Sequence, residues 1–214
     1  MRIEAVLYDM DGTLLDTERL HRIAWVECGR VHGAQIGEEF FERVTGRNLT
    51  AVLAELGSMY PRIDDVEAVY AEKERMCRAW MEEHGVPVLP GVYHALGQLS
   101  ARGIKQCVCT STSRDSASLT LTRAGILPRL DALVCGDDIV RSKPDPQIFL
   151  HGAQKLGVPI ARCAVVEDSP LGAEAGLRSG AKVFLVPGLV KMPEELEQRC
   201  VRIDSLWQLP EMLE

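Results

Sequence analysis

Two aspartates one residue apart, Asp9 and Asp11, follow the apolar run Ala5-Val6-Leu7-Tyr8 and precede Gly12-Thr13. Carboxylates this close repel, and each raises the other's pKa unless a cation sits between them. An oxygen-rich site of this kind suits Mg²⁺, which takes one or two carboxylates together with waters and a substrate phosphate. With its charge screened, Asp9 can attack phosphorus as a carboxylate nucleophile. Asp11 is spaced to give a proton to the leaving oxygen and later to take one from water. Two plainer readings compete. A calcium loop would place its glycine sixth and follow a helix, whereas Gly12 is fourth and follows a strand-like run. A solvated loop would have no reason to follow four consecutive apolar residues.

Three further stretches carry the same kind of chemistry. Val108-Cys109-Thr110-Ser111-Thr112-Ser113 ends an apolar run in hydroxyls, and a hydroxyl followed by backbone amides entering a helix cradles phosphate. As a plainer role, these residues would simply cap that helix. In Ser142-Lys143-Pro144-Asp145-Pro146, Pro144 biases Lys143 toward an extended backbone and Pro146 suits a first helical turn. A lysine held so can stabilise charge on a transferring phosphate and on Asp9; an isolated loop lysine would merely be solvated. Ala164-Val165-Val166 ends in Glu167-Asp168-Ser169-Pro170, a second carboxylate pair able to complete a magnesium shell, with Ser169 and Pro170 as N-cap and first turn.

The elements that must position these groups follow from periodicity. Ala5–Tyr8 reads as a buried parallel strand. Helices are expected from Glu18 to Val31, in one or two pieces from Glu38 to Leu56, and from Asp65 to Glu83, stopped by His84-Gly85-Val86-Pro87. A helix over Val92–Ala101 then opens an alternation: strand 106–109, helix 115–124, strand 132–135, helix 146–156, strand 163–167, helix 171–179, strand 182–186. A short acidic helix near 193–198, a strand near 201–203 and a C-terminal helix close the chain. Such alternation implies a parallel sheet with right-handed crossovers, and ligands of such sheets bind beyond the carboxyl ends of the strands. The fold class is therefore α/β: a Rossmann-like parallel-sheet core, residues 1–15 and 88–214, with an inserted α-helical cap domain over 16–87. Leu14–Thr17 and Gly85–Pro90 are the linkers and the expected hinge.

A chain of 214 residues buries a good core. Its net charge of −7 argues against nucleic acid as a partner. Seven cysteines without Cys-x-x-Cys or zinc-type spacing point to reduced thiols. Cys107 and Cys109 are expected as small core residues, one on each face of their strand. Neither a signal pattern nor a long apolar span occurs, so a cytoplasmic protein with no membrane partner is expected, as a monomer or weak homodimer.

Asp9-Met10-Asp11-Gly12-Thr13-Leu14-Leu15-Asp16 resembles the signature of the haloacid dehalogenase superfamily, Asp-x-Asp-Gly-Thr-Leu-x-Asp, and is closest to its beta-phosphoglucomutase-like and sugar-phosphatase group with a helical cap. The resemblance extends over nearly the whole chain. It implies an Mg²⁺-dependent phosphatase acting on a small phosphorylated metabolite, a sugar or polyol phosphate, through an aspartyl phosphate. In that reading Asp9 is the nucleophile, Asp11 the acid and base, Thr110 the second-motif hydroxyl with Ser111 offering its amide, and Lys143 the lysine of Lys-Pro-x-Pro. Asp9, Asp11 through its carbonyl, and Asp168 hold the metal, with Glu167 in or just behind that shell. A dehalogenase would lack the second aspartate, and a phosphonate hydrolase would need a Schiff-base lysine, for which Lys73 is the one cap candidate.

In the cap, Thr17, His21 and Trp25 share one helical face at i, i+4 spacing, with Trp25 read as core. His21, Arg47 and Lys73 are the expected substrate contacts. The phosphomutases of the group carry an arginine three residues after the glycine of the cap loop; here that position is Leu49, with Arg47 nearby. A phosphomutase is the alternative, and a non-catalytic binding protein on this fold a more distant one.

Overall fold

The computed structural model describes residues 2–213. Its centre is strand β1 (Ala5–Tyr8), buried at every residue, whose neighbours are β2 (Lys105–Cys109) and β4 (Cys163–Glu167), both parallel to it. With β3 (Ala132–Val134), β5 (Lys182–Leu185) and β6 (Val201–Arg202) they form a six-stranded parallel sheet in the order β3-β2-β1-β4-β5-β6. Side chains of β1 alternate between two layers, as the two-residue period of a strand requires. Val6 and Tyr8 join the layer that contains Leu96 and Leu99, and Ala5 and Leu7 join the layer that contains Phe149 and Ala153. The first layer is built on helix α5 (Val92–Ala101), the second on α7 (Gln147–Leu156) and α8 (Pro170–Ser179). Helices α6 (Arg114–Arg123), α9 (Glu194–Glu197) and α10 (Leu209–Met212) complete the core.

The cysteine expectation fails here. Residues two apart in a strand point to the same face, and Cys107 and Cys109 both lie under α7, with sulfurs 3.8 Å apart. Gly152 of α7 makes room for them: a Cβ there would stand 2.6 Å from Cys109 Sγ. All seven cysteines are free thiols.

Between β1 and α5 lie four helices, α1 (Thr17–Val31), α2 (Glu38–Val44), α3 (Leu49–Met59) and α4 (Val66–His84). The stretch 38–56 thus divides in two, because the turn 45–48 intervenes and Asn48 caps α3 by accepting from the amide of Ala51 at 3.1 Å. Asp65 caps α4 in the same way. The four helices share an apolar cluster of their own, with Trp25, Phe40, Phe41, Leu56 and Val69 at its heart. Trp25 meets Phe40 edge-on at 5.3 Å between ring centres. Where the helical block leaves and rejoins the core, its two linkers pair: Leu15 bridges Val88, the Asp16 amide donates to Pro87 O, and the Leu89 amide donates to Leu14 O. No helix among the described residues is long and apolar enough to cross a membrane.

Candidate active site

β1 and β4 end side by side, which brings Asp9 against Glu167 and Asp168. The loop that follows β1 turns back at once, with the amides of Leu14 and Leu15 both donating to Met10 O. Gly12 makes this possible twice over. Its φ of +85° is costly for residues with a Cβ, and a Cβ there would stand 2.2 Å from Asp168 Oδ2.

Lys143 is fully buried beneath this loop, and its ammonium donates to Asp9 Oδ1 at 2.5 Å and to Glu167 Oε1 at 2.6 Å. Glu167 Oε2 accepts from the amides of Asp168 and Ser169, each at 3.0 Å, and from the Ser169 hydroxyl at 2.9 Å. Both oxygens of Glu167 are therefore taken by the protein. Glu167 thus anchors Lys143 and the loop from just behind Asp9 and Asp168. Gly172 admits it, since a Cβ there would lie 1.8 Å from Glu167 Oε1.

One lysine thus answers three buried carboxylates. Burial, opposed by Lys143 and reinforced by Glu167 and Asp11, raises the Asp9 carboxyl to about 8. Burial, then Glu167 and Asp9, raises Asp168 well above the carboxylate range. Acids held against ionisation in this way fit a hard divalent cation between Asp9 and Asp168, where Gly12 keeps the space open. Among the described residues no three His, Cys, Asp or Glu side chains cluster at ligand distances. A cation here would complete its shell with a main-chain carbonyl, waters and phosphate oxygens, as Mg²⁺ commonly does.

Asp11 is differently placed. Its Oδ2 accepts from Thr112 Oγ1 at 2.9 Å, its Oδ1 accepts from the Thr17 hydroxyl, and His21 Nε2 stands 3.7 Å from Oδ1. Burial would raise its pKa, but the neighbouring His21 ring, with the two threonine bonds, lowers it to about 2. For His21, burial and Lys73 oppose the charge while the nearby Asp11 carboxylate and the contact with Cys77 favour it, and the pKa is raised to about 10. Both shifts favour an ionised Asp11 beside a protonated His21. Sequence reasoning did not assign Thr17 and Thr112 to Asp11, because donors brought together across 6 and 101 residues leave no local pattern.

Thr110 is buried, and its Oγ1 accepts from the amide of Thr112 at 3.1 Å, leaving the hydroxyl proton to donate. The Ser111 hydroxyl donates to Gly46 O at 2.9 Å, so this side chain ties the turn of the helical block to the core. The same turn presses on the other loop: a Cβ on Gly46, whose φ is +83°, would meet Ser169 Oγ at 3.1 Å.

Between core and helical block lies a cavity of about 720 Å³, lined by Asp9, Asp11, Thr110 and Asp168 below and by His21, Arg47 and Lys73 above. The three expected cap contacts are therefore brought to one space. Two are partly occupied already: Arg47 Nη1 stands 3.6 Å from Glu55, and the buried Lys73 ammonium donates to Glu74 at 2.8 Å and lies over the Trp25 and Tyr70 rings. Leu49 also lines the cavity. Glu18 and Arg22, one turn apart on α1, line it too and went unassigned from sequence.

Fold and site together define a haloacid dehalogenase-like hydrolase: the model of that family matches residues 3–180, and the chain belongs to it. Among its relatives, hexitol phosphatase A of Escherichia coli is 32% identical over 195 residues, covering 87% of this chain and 84% of that protein. The phosphorylated carbohydrates phosphatase of Thermotoga maritima is 32% identical over 182 residues, covering 83% and 82%. The crystal structure of CbbY from Rhodobacter sphaeroides in complex with phosphate superposes with a TM-score of 0.82 at 27% identity, over 97% of this chain and 96% of that one.

Proposed function

We propose that this hydrolase is an Mg²⁺-dependent phosphatase that releases phosphate from a small phosphorylated sugar or polyol through an aspartyl phosphate on Asp9. The observation that carries this reading is the Asp9 carboxylate, held by Lys143 through Oδ1 and facing the cavity beside Asp168. The phosphatases of E. coli and T. maritima named above support the substrate class.

Asp9, Asp168 and the carbonyl of Asp11 would hold Mg²⁺, which screens the carboxylates and the phosphate charge from one another. Lys143 fixes Asp9 Oδ1, so Oδ2 is the oxygen that attacks phosphorus. Thr110 and Lys143 offer donors to the phosphate oxygens as the bond to the leaving oxygen lengthens. The proton for that oxygen comes from the Asp11–His21 pair, which stores it on the imidazole. A phosphate dianion seated on Asp9 disfavours a second negative charge at Asp11, so the proton moves to Asp11 and on to the departing alkoxide. Asp11, ionised again, takes a proton from the water that opens the aspartyl phosphate. The helical block covers the site and selects what enters, with His21, Arg47 and Lys73 as contacts.

A phosphomutase would have to grip a second phosphate, ordinarily by a bidentate arginine. Leu49 offers no such group, and Arg47 faces Glu55. Phosphorus NMR on beta-glucose 1-phosphate and sorbitol 6-phosphate with Mg²⁺ tests the reading. Free phosphate is expected; glucose 6-phosphate accumulating without free phosphate would overturn it in favour of the mutase.

A further inference from the structure

Arg22 holds the one buried pair of unsatisfied side-chain donors among the described residues: Nε and Nη2 have no hydrogen-bond partner. Buried polar groups are nearly always paired, so such donors call for an explanation. The side chain is only 14% exposed, lies over the Phe41 ring at 4.8 Å, and lines the cavity above Asp9. Its one hydrogen bond, from Nη1, goes to Glu38 at 2.8 Å, whose side chain is 73% exposed. Rim pairs of that kind contribute little, so the guanidinium can turn toward the cavity at small cost.

The charge around Arg22 decides what it can take. Glu38 stands on one side, and Glu18 Oε1 is 3.6 Å from Nε on the other. Two carboxylates flanking one guanidinium offset its charge, while the donors stay unmet. A neutral oxygen suits this arrangement. Glu18 also faces Asp168, raising the pKa of that acid, so Glu18 and Arg22 lead away from the phosphate site along one face of α1 at i, i+4 spacing.

Resting on the phosphatase reading, we propose that Arg22 is a specificity-determining residue that donates from its unmet guanidinium nitrogens to a hydroxyl oxygen of an uncharged polyol chain. The substrate is then a monophosphate whose remaining carbons carry hydroxyls, with no second phosphate or carboxylate near α1.

The test compares sorbitol 6-phosphate with p-nitrophenyl phosphate, which offers no hydroxyl. Arg22→Met replaces the guanidinium that lies over Phe41 with an apolar thioether and removes the donors. A bond from a charged donor corresponds to roughly 10- to 100-fold in affinity, so KM for sorbitol 6-phosphate should rise by about that factor. kcat/KM for p-nitrophenyl phosphate should stay within about twofold. Should Arg22→Met fail to fold, Arg22→Lys supplies the same readout with a smaller rise on the polyol ester alone. Equal losses on both esters, or no loss on either, would overturn the proposal. Wild-type turnover of p-nitrophenyl phosphate without any of sorbitol 6-phosphate overturns it and leaves the phosphatase reading standing. Turnover of neither ester strikes that reading, and this inference with it.

Discussion

Lys143 Nζ lies 2.5 Å from Asp9 Oδ1, and it is also the one cationic partner of Glu167 among the described residues. Removing the lysine strands both acids out of water. Breaking a buried pair costs about 3–5 kcal/mol, and in a chain of this size each kcal/mol moves Tm by about 2–4 °C. Lys143→Met should therefore lower Tm by roughly 6–20 °C and abolish phosphate release. Adding Glu167→Gln should restore much of the Tm and none of the turnover, as differential scanning fluorimetry and a phosphate assay would read. An unchanged Tm in the single variant would contradict the pairing.

Asp11→Asn keeps the two threonine contacts possible and removes the group through which the proton passes. General acid–base help is worth ~10²- to 10⁴-fold, so the loss should be larger for sorbitol 6-phosphate, a poor leaving group, than for p-nitrophenyl phosphate. Equal losses would argue against proton delivery to the leaving oxygen.

The Asp11–His21 pair sets a pH window. His21 is raised to about 10, so its contribution to stability is complete below its unfolded value near 6.5 and is lost as pH climbs toward 10. Asp11 is lowered to about 2, so its contribution is complete above its unfolded value near 4 and is lost as pH falls toward 2. The unfolding free-energy difference between wild type and His21→Asn should be level from about pH 4 to about 6.5 and shrink steadily toward pH 10. Urea titrations at five pH values measure it. A difference that stayed constant to pH 10 would remove the imidazolium from the site.

Gly172→Ala is a purely steric probe, because alanine is otherwise favoured in a helix. The new methyl would fall within 1.8 Å of Glu167 Oε1, and overpacking of this sort costs about 1–3 kcal/mol. A lower Tm with a matching fall in kcat is expected, since Glu167 holds Lys143. A variant of normal stability and activity would mean that the carboxylate is free to move.

The strand ends were legible because their signals are local: an apolar run closing in Asp9-x-Asp11-Gly12, or in Glu167-Asp168-Ser169-Pro170, needs no knowledge of distant residues. The alternation of strands and helices, and the helical block after β1, were legible for the same reason. What stayed hidden depends on tertiary partners. Glu55 beside Arg47 half-satisfies a cation that the sequence presents as free, and Lys73, already paired with its neighbour Glu74, is buried against the Trp25 and Tyr70 rings. Both oxygens of Glu167 are consumed by groups up to 24 residues away. Arg22 carries no motif at all, and only its unmet donors single it out. The cysteine error was one of period, a strand's two-residue repeat applied one residue out.

The pairing of Leu15 with Val88 has an evolutionary and practical consequence. Bridged antiparallel residues stand about 4.5–5.5 Å apart, so the chain departs from the sheet and comes back to it through what is nearly a single doorway. Everything between, from Thr17 to His84, is attached like a bulb in a socket. A relative's block of different length could be spliced at these two residues without shifting a single rung of the β1–β2 or β1–β4 ladders. Grafted chimaeras joined there should keep the sheet and its acids while acquiring the donor's choice of substrate.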